Sequence, residues 1–270
     1  MSFLVLVAAL LLSRHRAGEG AAALFARWRQ VVGSLPAEGW RLPLLLFAGP
    51  AAVGAAGLAC AVLGAPWLYW LLALGVLVTC LADPELHRRA DAFLDDLRRR
   101  DLQAAWHEVQ ALGAGCAADW RELHAASLAQ IAHRHLRARF CPFFWFALLG
   151  APGALFYRLA AEAGEARPQD GRLAALVTFL EWLPVRLFGA SLALVGNFGP
   201  VVAELRAAGW AKSTDAAVLA GRLVRAALSG SRAVDPGPEG EIAELEALPA
   251  LLDRATLSWL ALVALGVLAS

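Results

Sequence analysis

Lysine is nearly missing from this chain. Of the 24 basic residues only Lys212 carries an ammonium, and the rest are Arg, so Schiff-base or Walker-type chemistry would have to run through one side chain. Charge is scarce as well: 17% of the residues are charged, against roughly a quarter in ordinary globular domains. With 59% hydrophobic residues, the chain has too little polar surface to wrap soluble cores over 270 positions, and the same composition excludes a disordered tail or a coiled-coil rod. Net charge is lacking too. A formal balance of +1 creates no chain-wide field, so nucleic acid is not an expected partner. Cys60, Cys80, Cys116 and Cys141 show no C-x-x-C spacing, which argues against a disulfide framework or a zinc site. Strand-like alternation is absent. What remains is an all-α chain that reads as a polytopic helical integral membrane protein with cytoplasmic amphipathic helices, and the lipid bilayer is its first expected partner.

Residues 42–82 contain no charge over 41 positions, about 62 Å as one helix and roughly twice the hydrocarbon thickness of a bilayer. Gly64-Ala65-Pro66 at the midpoint supplies the breaker, so the run predicts a transmembrane hairpin of 42–63 and 66–82. Trp67, Tyr69 and Trp70 fit an interfacial aromatic belt, and Gly54, Gly57, Ala61 and Gly64 offer small residues either for close helix contact or as plain Ala/Gly-rich composition.

Three weaker candidates follow. Residues 140–157 are uncharged between Arg139 and Arg158, but Pro142, Pro152 and Gly153 interrupt them, so the segment either spans or dips in and returns. Residues 173–203 are apolar apart from Glu181 and Arg186, with Pro184 between them, and residues 255–270 form a short final apolar stretch. The apolar stretch 3–12 precedes Arg14, His15 and Arg16, the reverse of a secretory signal, and reads as a retained interfacial helix.

The expected organisation is therefore an N-terminal apolar and basic segment (1–41), a membrane hairpin (42–82), a cytoplasmic helical segment (83–139), interrupted membrane helices (140–203), a second cytoplasmic segment (204–254) and a C-terminal membrane helix (255–270). Arg-rich flanks on both sides of the hairpin put its turn outside. If both interrupted segments cross, residues 158–172 lie outside and 204–254 return inside.

Apolar spacing predicts an amphipathic helix over 84–112, a helix capped by Asp119 running to about Arg139, and one capped by Ser213 or Thr214 through Leu228. Residues 229–240 read as a loop before an acidic helix at 241–248. The Arg98–Arg100 cluster with Asp95, Asp96 and Asp101 reads as a solvated helix face. His133 and His135 point apart on a helix, which makes a poor metal pair, and Gly209 to Thr214 ends in Lys-Ser without the glycines of a phosphate loop. No metal or cofactor is expected. Glu181 and Arg186 are the informative pair, because charges in an apolar segment survive when paired or facing a cavity. Pro184 can bend the axis to bring them together, or both can reach water at an interface.

Two blocks resemble a family. Pro142-Phe143-Phe144-Trp145-Phe146-Ala147, continuing through Gly150-Ala151-Pro152-Gly153-Ala154-Leu155 to Tyr157-Arg158, resembles a signature shared by the CobD/CbiB and AmpE membrane proteins. Glu181-Trp182-Leu183-Pro184-Val185-Arg186-Leu187 resembles their W-x-P-x-R-L stretch. The CobD/CbiB branch implies an ATP-dependent adenosylcobinamide-phosphate synthase, but its Asn-Thr-x-Asp element and its adjacent acids are replaced here by Ala161 to Gly164 and by Val177 and Thr178, with Glu162, Glu165 or Glu181 as partial substitutes. The chain is more similar to the AmpE branch. That resemblance implies a non-enzymatic regulator in the bacterial inner membrane, linked to the AmpD amidase, peptidoglycan recycling and β-lactamase induction. It marks Phe144, Trp145, Gly150, Pro152, Gly153 and Pro184 as shaping residues. Tyr157, Arg158, Glu181, Trp182 and Arg186 become candidate ligand residues, with Arg158 and Arg186 holding an anionic lipid, nucleotide or cell-wall fragment.

Overall fold

The computed structural model describes residues 5, 8–9, 18–35, 40–99, 101–111, 120–210, 215–230 and 238–268. Most of the 3–12 stretch, Asp119, Cys116, Lys212 to Thr214 and most of the 229–240 loop lie outside the described residues. Every element among those described is helical: α1 (Gly18–Ser34), α2 (Arg41–Val62), α3 (Pro66–Leu81), α4 (Pro84–Arg98), α5 (Leu102–Ala111), α6 (Trp120–His135), a π-helical turn (Leu136–Phe140), α7 (Cys141–Ala166), α8 (Gly171–Val195), α9 (Phe198–Ala208), α10 (Ala216–Leu228) and α11 (Pro238–Leu268). Three helical stretches are long and apolar enough to cross a membrane, namely Arg41–Val62, Arg121–Ala166 and Gly171–Val195, with Pro66–Leu81 a shorter apolar helix.

The chain forms two interleaved units. One comprises Met1–Pro84, Arg137–Glu181 and Val263–Ser270, the other Glu85–Leu136 and Trp182–Leu262. The first holds the helices that carry most of the resemblance. In it, α2 and α3 form the expected hairpin, and the turn has a local cause: Gly64 at φ 68° ends α2, Ala65 N donates to Cys60 O (3.0 Å) and Gly64 N to Ala61 O (3.2 Å), and Pro66 then opens α3. Gly57 lets α3 approach, since a Cβ there would lie 2.7 Å from the Tyr69 ring. Only Leu46 and Pro50 of α2 are buried, so an almost wholly apolar helix presents its remaining sides outward.

The 46-residue stretch Arg121–Ala166 is not a straight rod. Gly150 adopts φ 70° and ψ −161°, outside any helix, and the chain reverses there. Residues paired symmetrically about it confirm the reversal: Arg137 meets Glu165, the Tyr157 side chain reaches Cys141, and Gly153 lies so close to Trp145 that a Cβ would sit 2.7 Å from its carbonyl oxygen. In one continuous helix Arg137 and Glu165 would be about 42 Å apart. The structure therefore resolves the two readings of 140–157 in favour of a fold-back hairpin, with limbs 141–149 and 151–166. The second limb returns to the end of this unit where α2 begins, and Arg172 and Leu42 line one pocket.

In the second unit the helix expected over 84–112 is interrupted. The Asp101 carboxylate accepts from Ala104 N at 3.0 Å, capping α5 and separating it from α4. The apolar run 173–203 also divides, because Asn197 N donates to Ala227 O (3.0 Å) rather than to its own helix, and Gly196 permits an approach that a Cβ would block at 2.8 Å from Ala227. Asp215 caps α10 through Ala217 N at 2.7 Å. α10 lies against α6 at Gly221, where a Cβ would be 2.7 Å from that of Ala129. The acidic segment 241–248 and the C-terminal stretch from 255 are one helix, α11, running through Pro249 with Leu245, Leu248, Leu252 and Ala255 buried along one stripe. It starts at Pro238, inside the expected loop.

Candidate functional site

The fold-back hairpin gathers charges that the linear sequence scatters. Arg137, in the π-helical turn at the base of the first limb, donates from Nε to Glu181 Oε1 at 2.6 Å and from Nη1 to Glu165 Oε1 at 3.3 Å. Glu181 comes from α8 and Glu165 from the second limb. Tyr157 Oη donates to the same Glu181 oxygen at 3.1 Å, and the ring is fully buried. The next residue, Arg158, pairs with Glu162 one turn further along at 2.9 Å, and its guanidinium lies 4.9 Å from the centre of the Phe25 ring. Arg29 of α1 closes the group: its Nε is 3.4 Å from Glu162 Oε2 and its Nη1 3.4 Å from Glu165 Oε2.

Three guanidiniums and three carboxylates thus alternate across four elements. Glu162 and Glu181 are 6% and 2% exposed, so neither carboxylate would remain ionised in apolar surroundings without its Arg. The π-helical turn has a clear use here. It lies just before the limb and carries Arg137, and such turns occur frequently at functional sites.

The resembling residues divide by location. Trp145 donates from Nε1 to Leu180 O at 3.2 Å, fastening the first limb to α8, and packs edge-on against Phe144. Gly150 forms the reversal, Pro152 follows it at the start of the second limb, and Gly153 gives the limbs room. Tyr157, Arg158 and Glu181 belong to the charge network. Trp182, Pro184 and Arg186 lie beyond Glu181 in α8, in the second unit. There Arg186 donates from Nε and Nη2 to Gly209 O at 3.1 and 3.0 Å and from Nη1 to Trp182 O at 2.8 Å, with its Cζ 4.4 Å from the Trp182 ring centre. Trp210 stands against the same Trp182 ring, 5.4 Å between centres. Glu181 and Arg186, the anticipated pair, each have partners inside their own unit, Arg137 and Tyr157 for the first and Gly209 and Trp182 for the second, and Pro184 lies between them within α8.

Arg29 and Arg137 are the network members that sequence reasoning passes over. Arg137 had a signal, because it and Glu165 are nearly equidistant from Gly150, but reading it requires knowing that the chain reverses there. Arg29 had none, since nothing local connects α1 to residues 133 to 136 positions later.

These features define a helical protein with a hairpin-borne, charge-balanced polar centre inside otherwise apolar helices. No known protein family, no curated protein and no solved structure matches the chain.

Proposed function

We propose that the chain is a multi-pass protein of the bacterial inner membrane and a non-enzymatic regulator of the AmpE type, modulating β-lactamase induction in connection with peptidoglycan recycling. α2 and α3 cross as a hairpin, residues 137–166 enter and return as a re-entrant hairpin, α8 starts on the face where α2 starts, and the helices of the second unit face the cytoplasm. Support for the membrane placement comes from α2 and α3, whose Leu44, Phe47, Leu58, Val62, Leu63, Trp67 and Leu71 are all more than half exposed and would be costly in water.

The observation that carries the functional reading is the meeting of the two resembling blocks. Tyr157–Glu181 and Trp145–Leu180 join them at one place, and each carboxylate there is held by Arg. A ligase of the cobalamin branch needs carboxylates to collect Mg²⁺ and nucleotide phosphates. Here Glu162, Glu165 and Glu181 are committed to guanidiniums, which fits a structural switch or sensor better than an ATP-dependent synthase. A link to the AmpD amidase belongs to the same proposal.

Deleting the gene tests it: the basal and β-lactam-induced levels of β-lactamase and the cytoplasmic muropeptide pool should both change and be restored by the wild-type gene. Unchanged induction and unchanged pools refute the regulatory role, and restored cobinamide-phosphate synthesis in a synthase-deficient strain would move the chain to the other branch.

A further inference from the structure

The first unit contains a pocket of about 230 Å³, separate from the charge network. Its walls are Leu42, Leu46 and Phe47 of α2, Phe156 of the hairpin's second limb, and Leu173 and Leu176 of α8. Phe47 and Phe156 stack at 5.0 Å to form one wall. Sites that enclose nucleotides or comparable small molecules run from about 300 to 1,000 Å³. This pocket is smaller, and its walls are hydrocarbon, so it accepts a stretch of aliphatic chain.

Polar character is confined to the rim. The lining residues at that end, Leu42 and Pro43 of α2, Arg172 of α8 and Asp170 just before it, sit at the starts of two helices, whose dipoles favour an anion. Asp170 is already engaged: Oδ1 accepts from Arg172 N at 3.0 Å and Leu173 N at 3.3 Å, so its carboxylate serves as the cap of α8. Arg172 has an exposed side chain at the rim, exposed Arg41 adjoins Leu42, and Trp40 beside it is 71% exposed, as an interfacial ring is.

An aliphatic slot with a guanidinium at its mouth matches one kind of molecule. We propose that the pocket holds an acyl chain of a single anionic glycerophospholipid, with the headgroup phosphate at Arg172. This rests on the membrane placement proposed above, and it adds a specific boundary lipid that ties α2, the hairpin and α8 together at one face.

Native mass spectrometry of the full chain, released from neutral detergent with equal amounts of phosphatidylglycerol and phosphatidylcholine, tests it. Wild type should retain one phosphatidylglycerol in clear preference to phosphatidylcholine. Arg172→Gln should reduce that preference about fivefold, the value of one Arg at an anionic membrane surface. Leu176→Trp, at a half-exposed wall position, should abolish retention of both lipids while helix content stays unchanged by circular dichroism; Leu42→Trp serves from the opposite wall if that variant fails to fold. Inorganic phosphate should displace nothing. Equal retention of the two lipids, an unchanged preference in Arg172→Gln, or displacement by free phosphate overturns the proposal. A chain that stays in solution without detergent refutes the membrane placement, whereas one that requires detergent yet retains no lipid refutes the pocket assignment alone.

Discussion

Arg137 and Glu165 are 28 positions apart, one on each side of the chain reversal at Gly150, and Nη1 and Oε1 stand 3.3 Å from each other. The ion pair is the far end of a reversal at Gly150, and it makes the hairpin's closure electrostatic as well as steric. Arg137 also holds Glu181, so a single guanidinium joins both limb bases to α8.

Removing that guanidinium should therefore cost more than one contact. Arg137→Met removes the guanidinium paired with the 2%-exposed Glu181, and breaking a buried pair from one side typically costs about 3–5 kcal/mol. For a chain of this size that corresponds to a fall in Tm of roughly 6–15 °C, measured by thermal unfolding in detergent. Arg137→Met combined with Glu181→Gln should be more stable than Arg137→Met alone, since Glu165 keeps Arg29. A double variant whose loss equals the sum of the singles would mean that the pair is not coupled.

The reversal itself depends on two glycines for different reasons. Gly150→Ala forces a side chain into φ 70°, at a cost of about 1–3 kcal/mol. Gly153→Ala places a Cβ 2.5 Å from that of Leu149 and 2.7 Å from the Trp145 carbonyl, so the limbs must separate. Both should lower Tm, Gly153→Ala the more because backbone is what it strikes. Gly75→Ala is the control: its Cβ meets nothing within 4 Å inside α3, and stability should hold or rise by about 0.5–1 kcal/mol. Equal effects at positions 75 and 153 would contradict the close packing of the limbs.

How much of this could be read beforehand follows from the range of each interaction. The α2–α3 hairpin was legible because its cause is local: a run too long for one crossing and a Gly-Ala-Pro breaker, with α2 ending at Val62 and α3 starting at Pro66. α10 was legible through Leu228, but its cap at Asp215 was displaced by one residue from the expected hydroxyls. The interruption by Gly150, Pro152 and Gly153 was visible as a disturbance, though spanning and returning look identical until the partner limb is known. Glu181 stood out as an ionisable group in an apolar run, whereas its partner was set by tertiary contact. Arg137 lies 44 positions away and Tyr157 24, while Arg186 donates to Gly209 and Trp182. Interruptions at Asp101 and Asn197 depended on one side-chain cap and one long-range backbone bond, and neither disturbs hydrophobic periodicity.

Chain reversal at Gly150 makes a topological prediction that a through-going helix does not. Gln169, exposed after the second limb, and Trp40, exposed before α2, should lie on the same face of the membrane, with Ala65 at the α2–α3 turn on the other. Single cysteines at these positions, in a background with Cys60, Cys80, Cys116 and Cys141 all replaced, can be labelled with an impermeant maleimide in intact cells and in inverted vesicles. Cysteines at positions 169 and 40 should react in the vesicles and the one at position 65 in cells. Reaction at 169 and 65 from the same side would return the segment 140–157 to a full crossing.

Arg186 separates a brace from a ligand group. All three of its donor nitrogens named above point at backbone carbonyls, two of them at Gly209 O, the C-terminal cap residue of α9, and its plane lies over Trp182. A planar fork that meets one acceptor with two nitrogens and stacks on an indole is not reproduced by an ammonium, so Arg186→Lys should behave nearly like Arg186→Ala. Hydrogen bonds from a charged donor contribute about 1.5–3 kcal/mol, and either variant should lose stability of that order, with increased proteolytic cleavage at the end of α9. Lipid retention by the pocket at Arg172 should be unaffected, because its walls belong to the other unit. If Arg186→Lys instead preserved stability, the guanidinium geometry would be incidental, and Arg186 would revert to a simple positive charge available to an anion.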